Sequence, residues 1–140
     1  MHHSVFFVGG DESVWGMGMR TQGRTQDQSK LNKIEIPEAM RNVKKYAHGK
    51  FFRLALTEDG RLFINGENRK YMTGSNISRE TYVSKFCPWP EDNFFRIGEG
   101  DKIVDVCGGK HFTAIVTERG QVFATGYMFY RSFDQCRENS

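Results

Sequence analysis

Two stretches of this sequence align with each other without a gap: KYAHGKFFRLALTEDGRLF at residues 45–63 and DVCGGKHFTAIVTERGQVF at residues 105–123. In and just after these stretches, eight residues recur at a displacement of 60 positions. They are Gly49, Lys50, Phe52, Thr57, Glu58, Gly60, Phe63 and Gly66 in the first copy, and Gly109, Lys110, Phe112, Thr117, Glu118, Gly120, Phe123 and Gly126 in the second. Such self-similarity indicates an architecture that stacks one supersecondary unit several times.

Each copy has the sequence properties of a β-hairpin. Residues 52–57 and 112–117 are short, rich in aromatic and β-branched residues, and place large apolar side chains at alternate positions in the first copy. A Thr-Glu-x-Gly tetrad ends each segment at Gly60 or Gly120, where a tight hairpin loop favours a positive φ. We therefore predict positive φ at both glycines and buried side chains at the equivalent positions Phe63 and Phe123, and likewise at Leu56 and Val116.

Further strands flank each hairpin. The second strand of the hairpin is predicted at residues 61–65 and 121–125, and a preceding strand at residues 43–47 and 103–107. A fourth strand is expected in the variable stretch that follows each copy. A third, partial copy opens the chain, because residues 5–10 match residues 61–66. This match predicts that the chain enters a repeat in its second half.

The second copy carries Gly-x-x-His, an apolar strand, a Thr-x-x-Gly turn, an aromatic strand and a glycine, and it resembles the repeat of the regulator of chromosome condensation family. The resemblance covers most of residues 4–18, 42–74 and 101–128, although Phe51 stands where His111 would recur. It implies a seven-bladed propeller of four-stranded blades, whose members bind chromatin, small GTPases, ubiquitin-ligase partners or photoreceptor partners. The structural repeat positions that it implies are Gly49, Gly60, Gly66, Gly109, His111, Gly120 and Gly126.

The predicted fold is all-β, a partial β-propeller of four-stranded antiparallel blades that is incomplete as a ring on its own. We expect one repeat domain over residues 1–140, with the end of a first blade and a long basic loop at 4–41, a second blade with a long insert at 42–100, and an incomplete third blade at 101–140. Roughly two and a third repeats do not close a propeller. Further blades are expected from a longer chain, or else from oligomerisation of three copies.

The bulk composition excludes several classes of protein. Apolar residues make up 38% and charged residues 26%, which is typical of a globular chain.

Cys87, Cys107 and Cys136 form no C-x-x-C pair and have no histidine at metal-ligand spacing, so we predict reduced thiols in a reducing compartment. No apolar run approaches the length of a membrane span. An intracellular protein is expected, whether cytoplasmic, nuclear or imported into an organelle, and not a secreted one.

Catalytic, metal and cofactor motifs are missing from the sequence. It contains no H-E-x-x-H, no phosphate-binding loop and no Gly-x-Ser-x-Gly elbow. The resemblance places His111 in a structural turn, and the paired carboxylates fall in predicted turns, where solvation explains them without acid-base chemistry. We therefore predict a non-catalytic protein with no cofactor and no metal.

A basic segment is the one candidate contact site. Between residues 20 and 53, nine basic residues face three acidic ones, a local net charge of +6 in a chain of net charge +3. Candidate contacts for an anionic partner are Arg20, Arg24, Lys30, Lys33, Arg41, Lys44 and Lys45. Residues 20–33 are predicted to form a long exposed loop, and the alternative is a solvated loop without a partner. Its lack of aromatic residues makes nucleic acid the less favoured partner.

Three functions therefore stay open. The first is a protein-interaction module that is part of a larger assembly. The second, implied by the resemblance, is a guanine-nucleotide exchange factor for a small GTPase. The third is a chromatin or nucleic-acid binder that uses the basic loop, which would show a steep salt dependence of binding.

Overall fold

The structure is a computed structural model that describes residues 4–18, 30–50, 52–67, 82–89 and 95–126. Within these ranges the chain forms ten β-strands and no helix. The strands are β1 (Ser4–Val8), β2 (Val14–Gly18), β3 (Asn32–Ile34), β4 (Val43–His48), β5 (Phe52–Thr57), β6 (Leu62–Glu67), β7 (Tyr82–Pro88), β8 (Ile103–Gly109), β9 (Phe112–Thr117) and β10 (Val122–Gly126).

The strands form three antiparallel sheets, which are the propeller blades. Blade 1 has the order β1-β2-β3, blade 2 the order β4-β5-β6-β7, and blade 3 the order β8-β9-β10. The fourth strand expected in the variable stretch is present in blade 2 as β7. The described sheets do not close a ring, so the predicted all-β, partial propeller is confirmed.

Blades 2 and 3 repeat each other in register as well as in sequence. Phe52 pairs with Gly66 in blade 2, and Phe112 pairs with Gly126 in blade 3, again displaced by 60 positions. The innermost pairs, β4 with β5 and β8 with β9, each contain a register shift near their first residues. The ungapped sequence alignment is therefore also a structural alignment.

The hairpin loops confirm the prediction for the two turn glycines. The φ angle is +84° at Gly60 and +83° at Gly120. The N–H of Gly60 donates to the carbonyl of Thr57 at 3.0 Å, and the N–H of Gly120 donates to the carbonyl of Thr117 at 2.9 Å. Both loops turn back through the left-handed region, where glycine has no steric penalty.

The alignment proposed for the opening copy is wrong. Strand β1 pairs with β2 so that Ser4 lies opposite Gly18, just as Phe52 lies opposite Gly66 in blade 2. Strand β1 is therefore equivalent to β5, at a displacement of 48 positions, and not to β6. A short Val-Phe-Phe-Val run fits either strand of the hairpin, and only the pairing distinguishes them. Among the described residues, blade 1 therefore begins at the strand equivalent to β5.

The predicted basic loop ends earlier than expected. Residues Asn32–Ile34 form strand β3, in which Ile34 pairs with Val14 and is only 1% exposed. Lys33 therefore lies on a strand and not in a loop, because burial of Ile34 against blade 2 holds this segment in the sheet. Arg20 and Arg24 lie outside the described residues.

Two apolar cores hold the three blades together. The first core, between blades 1 and 2, consists of Val14, Ile34, Met40, Ala55, Phe63 and Phe86. The second core, between blades 2 and 3, consists of Ala47, Phe52, Leu54, Leu56, Leu62, Ile64, Phe95, Ile103, Val106 and Ile115. Side chains alternate across strand β5, so Ala55 contributes to the first core and its neighbours Leu54 and Leu56 to the second.

The predicted burial of equivalent positions holds fully in blade 2 and partly in blade 3. Phe63 and Leu56 are buried, which confirms the prediction for them. Phe123 packs against the second core but is half-buried, and Val116 is half-buried too. Blade 3 covers Leu56, whereas no blade among the described residues covers the equivalent face of blade 3. Val122 on that face is 68% exposed.

Candidate interaction surface

The hairpin loops gather at one end of the blades, which we call the tip face. It is formed by loops 9–13, 58–61 and 118–121, together with the connections between blades at 37–42 and 98–102. Backbone hydrogen bonds attach loops to connections in both repeats. Glu58 N–H donates to the Asn42 carbonyl, and Glu118 N–H donates to the Lys102 carbonyl, each at 2.9 Å. The tip face is therefore built on a hydrogen-bonded backbone.

A cleft of about 420 Å³ opens on the tip face between blades 2 and 3, and we call it the tip-face cleft. Residues that line it include Arg61, Trp89, Ile97, Asp101 and Lys102. Because the cleft combines an apolar wall with a few charged groups at its rim, it has the chemical character of a binding cleft.

Trp89 dominates the apolar wall of the tip-face cleft. Its backbone N–H donates to the carbonyl of Leu62 at 2.8 Å, which holds the segment that follows β7 against the neighbouring strand β6. Its ring lies 5.1 Å from the ring of Phe95, which in turn lies 6.1 Å from Phe123 of blade 3. The indole is therefore held by both blades while part of it stays accessible.

Arg61 is the best-positioned charged group in the cleft. Its Nε donates to Oδ2 of Asp59 at 3.0 Å, and its Nη2 donates to the carbonyl of Ala39 at 3.1 Å. The guanidinium carbon lies 5.9 Å from the ring of Phe63. Hydrogen bonding from the Thr57 hydroxyl, together with the charge of Arg61, lowers the pKa of Asp59. These contacts orient the guanidinium before any partner arrives.

Asp101 and Lys102 form the opposite side of the rim. Oδ1 of Asp101 accepts hydrogen bonds from the backbone N–H of Lys102 at 3.0 Å and of Arg119 at 3.1 Å. Desolvation acts to raise the pKa of Asp101, but hydrogen bonds from Thr117, Arg119 and Lys102 outweigh it and lower the pKa. Lys102 Nζ lies 3.9 Å from Glu118 Oε2, and both side chains are about half exposed. The rim therefore stays charged of both signs at neutral pH.

Comparison with known proteins agrees with this architecture. Over 113 residues, the chain is 31% identical to the RCC1 domain-containing protein RUG3, mitochondrial, of Arabidopsis thaliana, a match that covers 80% of the chain. The chain carries repeats of the regulator of chromosome condensation (RCC1) family. It spans about a fifth of that curated relative, 22% of its length. No protein-family model matches the chain.

Solved structures share the RCC1-type fold at low sequence identity. Human WBSCR16 superposes with a TM-score of 0.66 and 21% identity, covering 89% of this chain and 31% of that one. Yeast RCC1 (Prp20), crystallised with Kap60 bound, superposes with a TM-score of 0.67 and 17% identity, covering 89% and 30%. Prp20p of Saccharomyces cerevisiae, whose binding properties to Gsp1p and histones are described with its structure, gives 0.63 and 20%, covering 90% and 29%. These likenesses establish the fold alone.

The RCC1 repeat positions named from the sequence fall at strand ends and turns. Gly49 is buried just after β4, Gly109 ends β8, and His111 is half-buried in the turn that follows. Gly66 and Gly126 have φ angles of +109° and +120° in their strands. Gly60 and Gly120 have the turn conformation described above.

The candidate anionic-partner contacts that the structure describes are distributed over three parts of these RCC1 blades. Lys30 and Lys33 are exposed in or beside β3, and Lys33 Nζ lies 6.0 Å from the centre of the Trp15 ring. Arg41 is on the tip face, where its Nη2 lies 3.2 Å from Glu38 Oε1. Lys44 and Lys45 lie on the innermost strand of blade 2. The structure thus separates residues that are close in sequence.

Lys44 and Lys45 link two blades. Lys44 Nζ donates to the carbonyl of Val104 at 2.8 Å, and Lys45 Nζ lies 2.8 Å from Oδ1 of Asp105. The hydrogen bond from Lys45 is the largest cause that lowers the pKa of the Asp105 carboxyl. Because both lysines bind the equivalent strand of blade 3, they contribute to the packing of neighbouring blades at their inner edge.

Sequence reasoning missed the tip-face cleft and the buried Arg53. A signal for the cleft was present in Trp89, a large aromatic residue in the variable stretch where a fourth strand was expected. The signal for Arg53 was a charged residue between Phe52 and Leu54 in an otherwise apolar strand. Among the described residues, no group of three or more His, Cys, Asp or Glu side chains is placed to hold a metal ion. No helix in the described ranges is long and apolar enough to cross a membrane.

Proposed function

We propose that this chain is a non-catalytic protein-interaction module and that the tip-face cleft is its contact site. The observation that carries the proposal is the placement of Trp89 and Arg61 in one cleft, each held by contacts within the blades. Tryptophan and arginine are among the residues most enriched at the energetic centres of protein interfaces. The partner is another protein, such as a subunit of a large complex.

The geometry of the cleft supports a protein partner. Its wall is apolar and includes Trp89, and its rim carries charges of both signs at Arg61, Asp101 and Lys102. An interface of this kind buries an anchor side chain of the partner in the apolar centre while the rim excludes water. Contacts within the blades already hold Arg61 and Trp89 in place, so less conformational entropy is lost when the partner binds.

Site-specific photocrosslinking tests this proposal. A benzophenone amino acid is placed at Lys102 on the cleft rim, and in a matched control protein at Lys110, which is exposed beyond the far end of β8. We expect a defined crosslinked partner from Lys102 only, and its loss in a second protein that also carries Arg61→Ala. The proposal is contradicted if Lys102 gives no product above Lys110, or if Arg61→Ala leaves a correctly folded protein crosslinking as before.

A guanine-nucleotide exchange factor for a small GTPase is the second candidate function. It is supported by the similarity to Prp20p, for which binding properties to Gsp1p are described. Release of a fluorescent guanine nucleotide from candidate GTPases tests it directly. An acceleration that depends on chain concentration establishes exchange, whereas unchanged release at concentrations where the GTPase is bound excludes it for that GTPase and leaves the interaction module.

Contact with an anionic partner through the basic residues is the third candidate. The local charge of +6 supports it, and Lys30 and Lys33 are the described members that lie on or beside strand β3 of blade 1, away from the contacts between blades 2 and 3 that hold Lys44 and Lys45. The partner is an acidic protein surface or, less favoured, nucleic acid. The double substitution Lys30→Gln and Lys33→Gln is expected to lower the slope of log K against log salt by roughly two for duplex DNA. A slope that stays unchanged argues against these contacts.

An intracellular location, whether cytoplasmic, nuclear or within an organelle, accompanies these functions. Its support is the pair of free thiols at Cys87 and Cys107 and the similarity to a protein named as mitochondrial. Fluorescence imaging of the tagged full-length protein in its own cells tests the location.

A further inference from the structure

Arg53 is a buried cation between blades 1 and 2. It is only 1% exposed and is the second of the six residues of strand β5. Nη1 donates to Oδ1 of Asn65 at 3.2 Å, and the guanidinium carbon lies 5.0 Å from the ring of Phe6 in blade 1. Burial lowers the pKa of Arg53 to about 10, so the group stays charged at neutral pH. A buried charge of this kind is stable only in surroundings shaped for it.

Gly16 on strand β2 provides the space that Arg53 occupies. A Cβ atom added to Gly16 would lie 3.0 Å from Nη2 and 3.1 Å from Nη1 of Arg53. It would also lie 2.9 Å from Cδ1 of Ile34. Even the smallest side chain at this position therefore displaces the guanidinium or the packed isoleucine. The two residues form a large-and-small pair across the boundary between the blades.

The next boundary between blades has the opposite arrangement. The strand registers make Ile64 of blade 2 equivalent to Gly16 of blade 1, and Thr113 of blade 3 equivalent to Arg53 of blade 2. Ile64 and Thr113 are both buried. The boundary between blades 1 and 2 therefore combines a glycine with the long cationic side chain of Arg53. At the equivalent positions, the boundary between blades 2 and 3 combines Ile64 with the small hydroxyl side chain of Thr113.

We infer that Gly16 and Arg53 form a recognition pair that makes the surface of blade 2 facing blade 1 selective for a blade with glycine at that position. A blade of the kind that carries Ile64 would direct its isoleucine into the guanidinium and leave a charge without room. Such a steric and electrostatic conflict rejects the wrong neighbour while the right one is accepted. In a chain of similar repeats, the pair prevents blades from stacking in the wrong order, within one molecule or between two.

A double-mutant cycle on the full chain tests the pair. The proteins are the parent, Gly16→Val, Arg53→Thr and the double variant, and the measurement is the unfolding equilibrium constant from urea titrations. Overpacking by Gly16→Val should raise that constant by about ten- to a hundredfold. In a protein that already carries Arg53→Thr, Gly16→Val should raise the unfolding equilibrium constant by a factor at least about five times smaller, because the threonine leaves room for the valine.

Two controls keep the result decisive. Thr113→Val changes a buried residue at the other boundary, and its effect should multiply with that of Gly16→Val without coupling. If Gly16→Val does not fold, Gly16→Ala adds only the Cβ atom and enters the same cycle. Coupling between positions 16 and 53 but not between 16 and 113 supports the recognition pair. Independent effects of Gly16 and Arg53 substitutions overturn it.

Discussion

Leu62 and Val122 begin equivalent strands of blades 2 and 3, but they differ in what covers them. Leu62 is 5% exposed in the second core, whereas Val122 is 68% exposed. Replacing Leu62 by alanine removes a buried side chain and should destabilise the fold by about 2–5 kcal/mol. Replacing Val122 by alanine removes two methylene equivalents, worth about 1.6 kcal/mol if fully buried, and at its exposure roughly a third of that, about 0.5 kcal/mol.

The assay is urea unfolding of the parent and the two variants, followed by far-ultraviolet circular dichroism at one protein concentration. The two variants should share the m-value of the parent, because the area exposed on unfolding scarcely changes. A cost for Val122→Ala of about 1.6 kcal/mol or more would refute the reasoning, because that value corresponds to complete burial and would mean that the face of blade 3 is covered in solution.

The remaining predictions concern the turns, the aromatic core and the inner strands. Gly120→Val should destabilise the fold by about 1–3 kcal/mol from its positive φ alone. Gly60→Val should destabilise it more, because Cβ of Lys102 would lie 3.3 Å from the new Cβ. Thermal unfolding measures both variants, and equal costs would contradict the effect of the contact with Lys102. Phe63→Ala should cost about 3–5 kcal/mol and half-buried Phe123→Ala less, by the same assay. The folded-state pKa of Asp105 is depressed, so its contribution to stability is present above the unfolded pKa near 3.9 and is lost as pH falls through the folded value. Asp105→Asn should therefore flatten the stability profile below about pH 5, and an unchanged profile would contradict a role for the Lys45–Asp105 contact.

Much of the fold was predictable because the repeat encodes it twice. The ungapped match of residues 45–63 with 105–123 located the central strand of each blade, and the turn glycines Gly60 and Gly120 have the predicted φ. The pattern failed where only one short copy was available. Residues 5–10 match either strand of a hairpin, and hydrogen bonding to β2 resolved the ambiguity.

The candidate surface was largely beyond sequence reasoning, because it depends on which parts of the chain meet. The tip-face cleft brings together Arg61 from a hairpin loop, Trp89 from the end of β7 and Lys102 from the connection to blade 3. Nothing in their spacing indicates this proximity. Conversely, Arg41 and Lys44 are neighbours in the basic segment, yet Arg41 contacts Glu38 on the tip face and Lys44 contacts blade 3.

Comparison of the two repeats distinguishes residues that any blade of this kind needs from residues that are specific to one boundary between blades. Where two copies keep the same residue, as at Thr57 and Thr117, the structure keeps the same bond: each hydroxyl accepts the backbone N–H four residues on, at 3.0 and 3.2 Å. Those residues build any blade of this kind. Where the copies differ at a buried position, as at Arg53 and Thr113, the common fold does not require either choice. A long cation buried at only one of two equivalent boundaries is costly for folding alone, so the selective pairing of particular blades is the more economical reason for its presence.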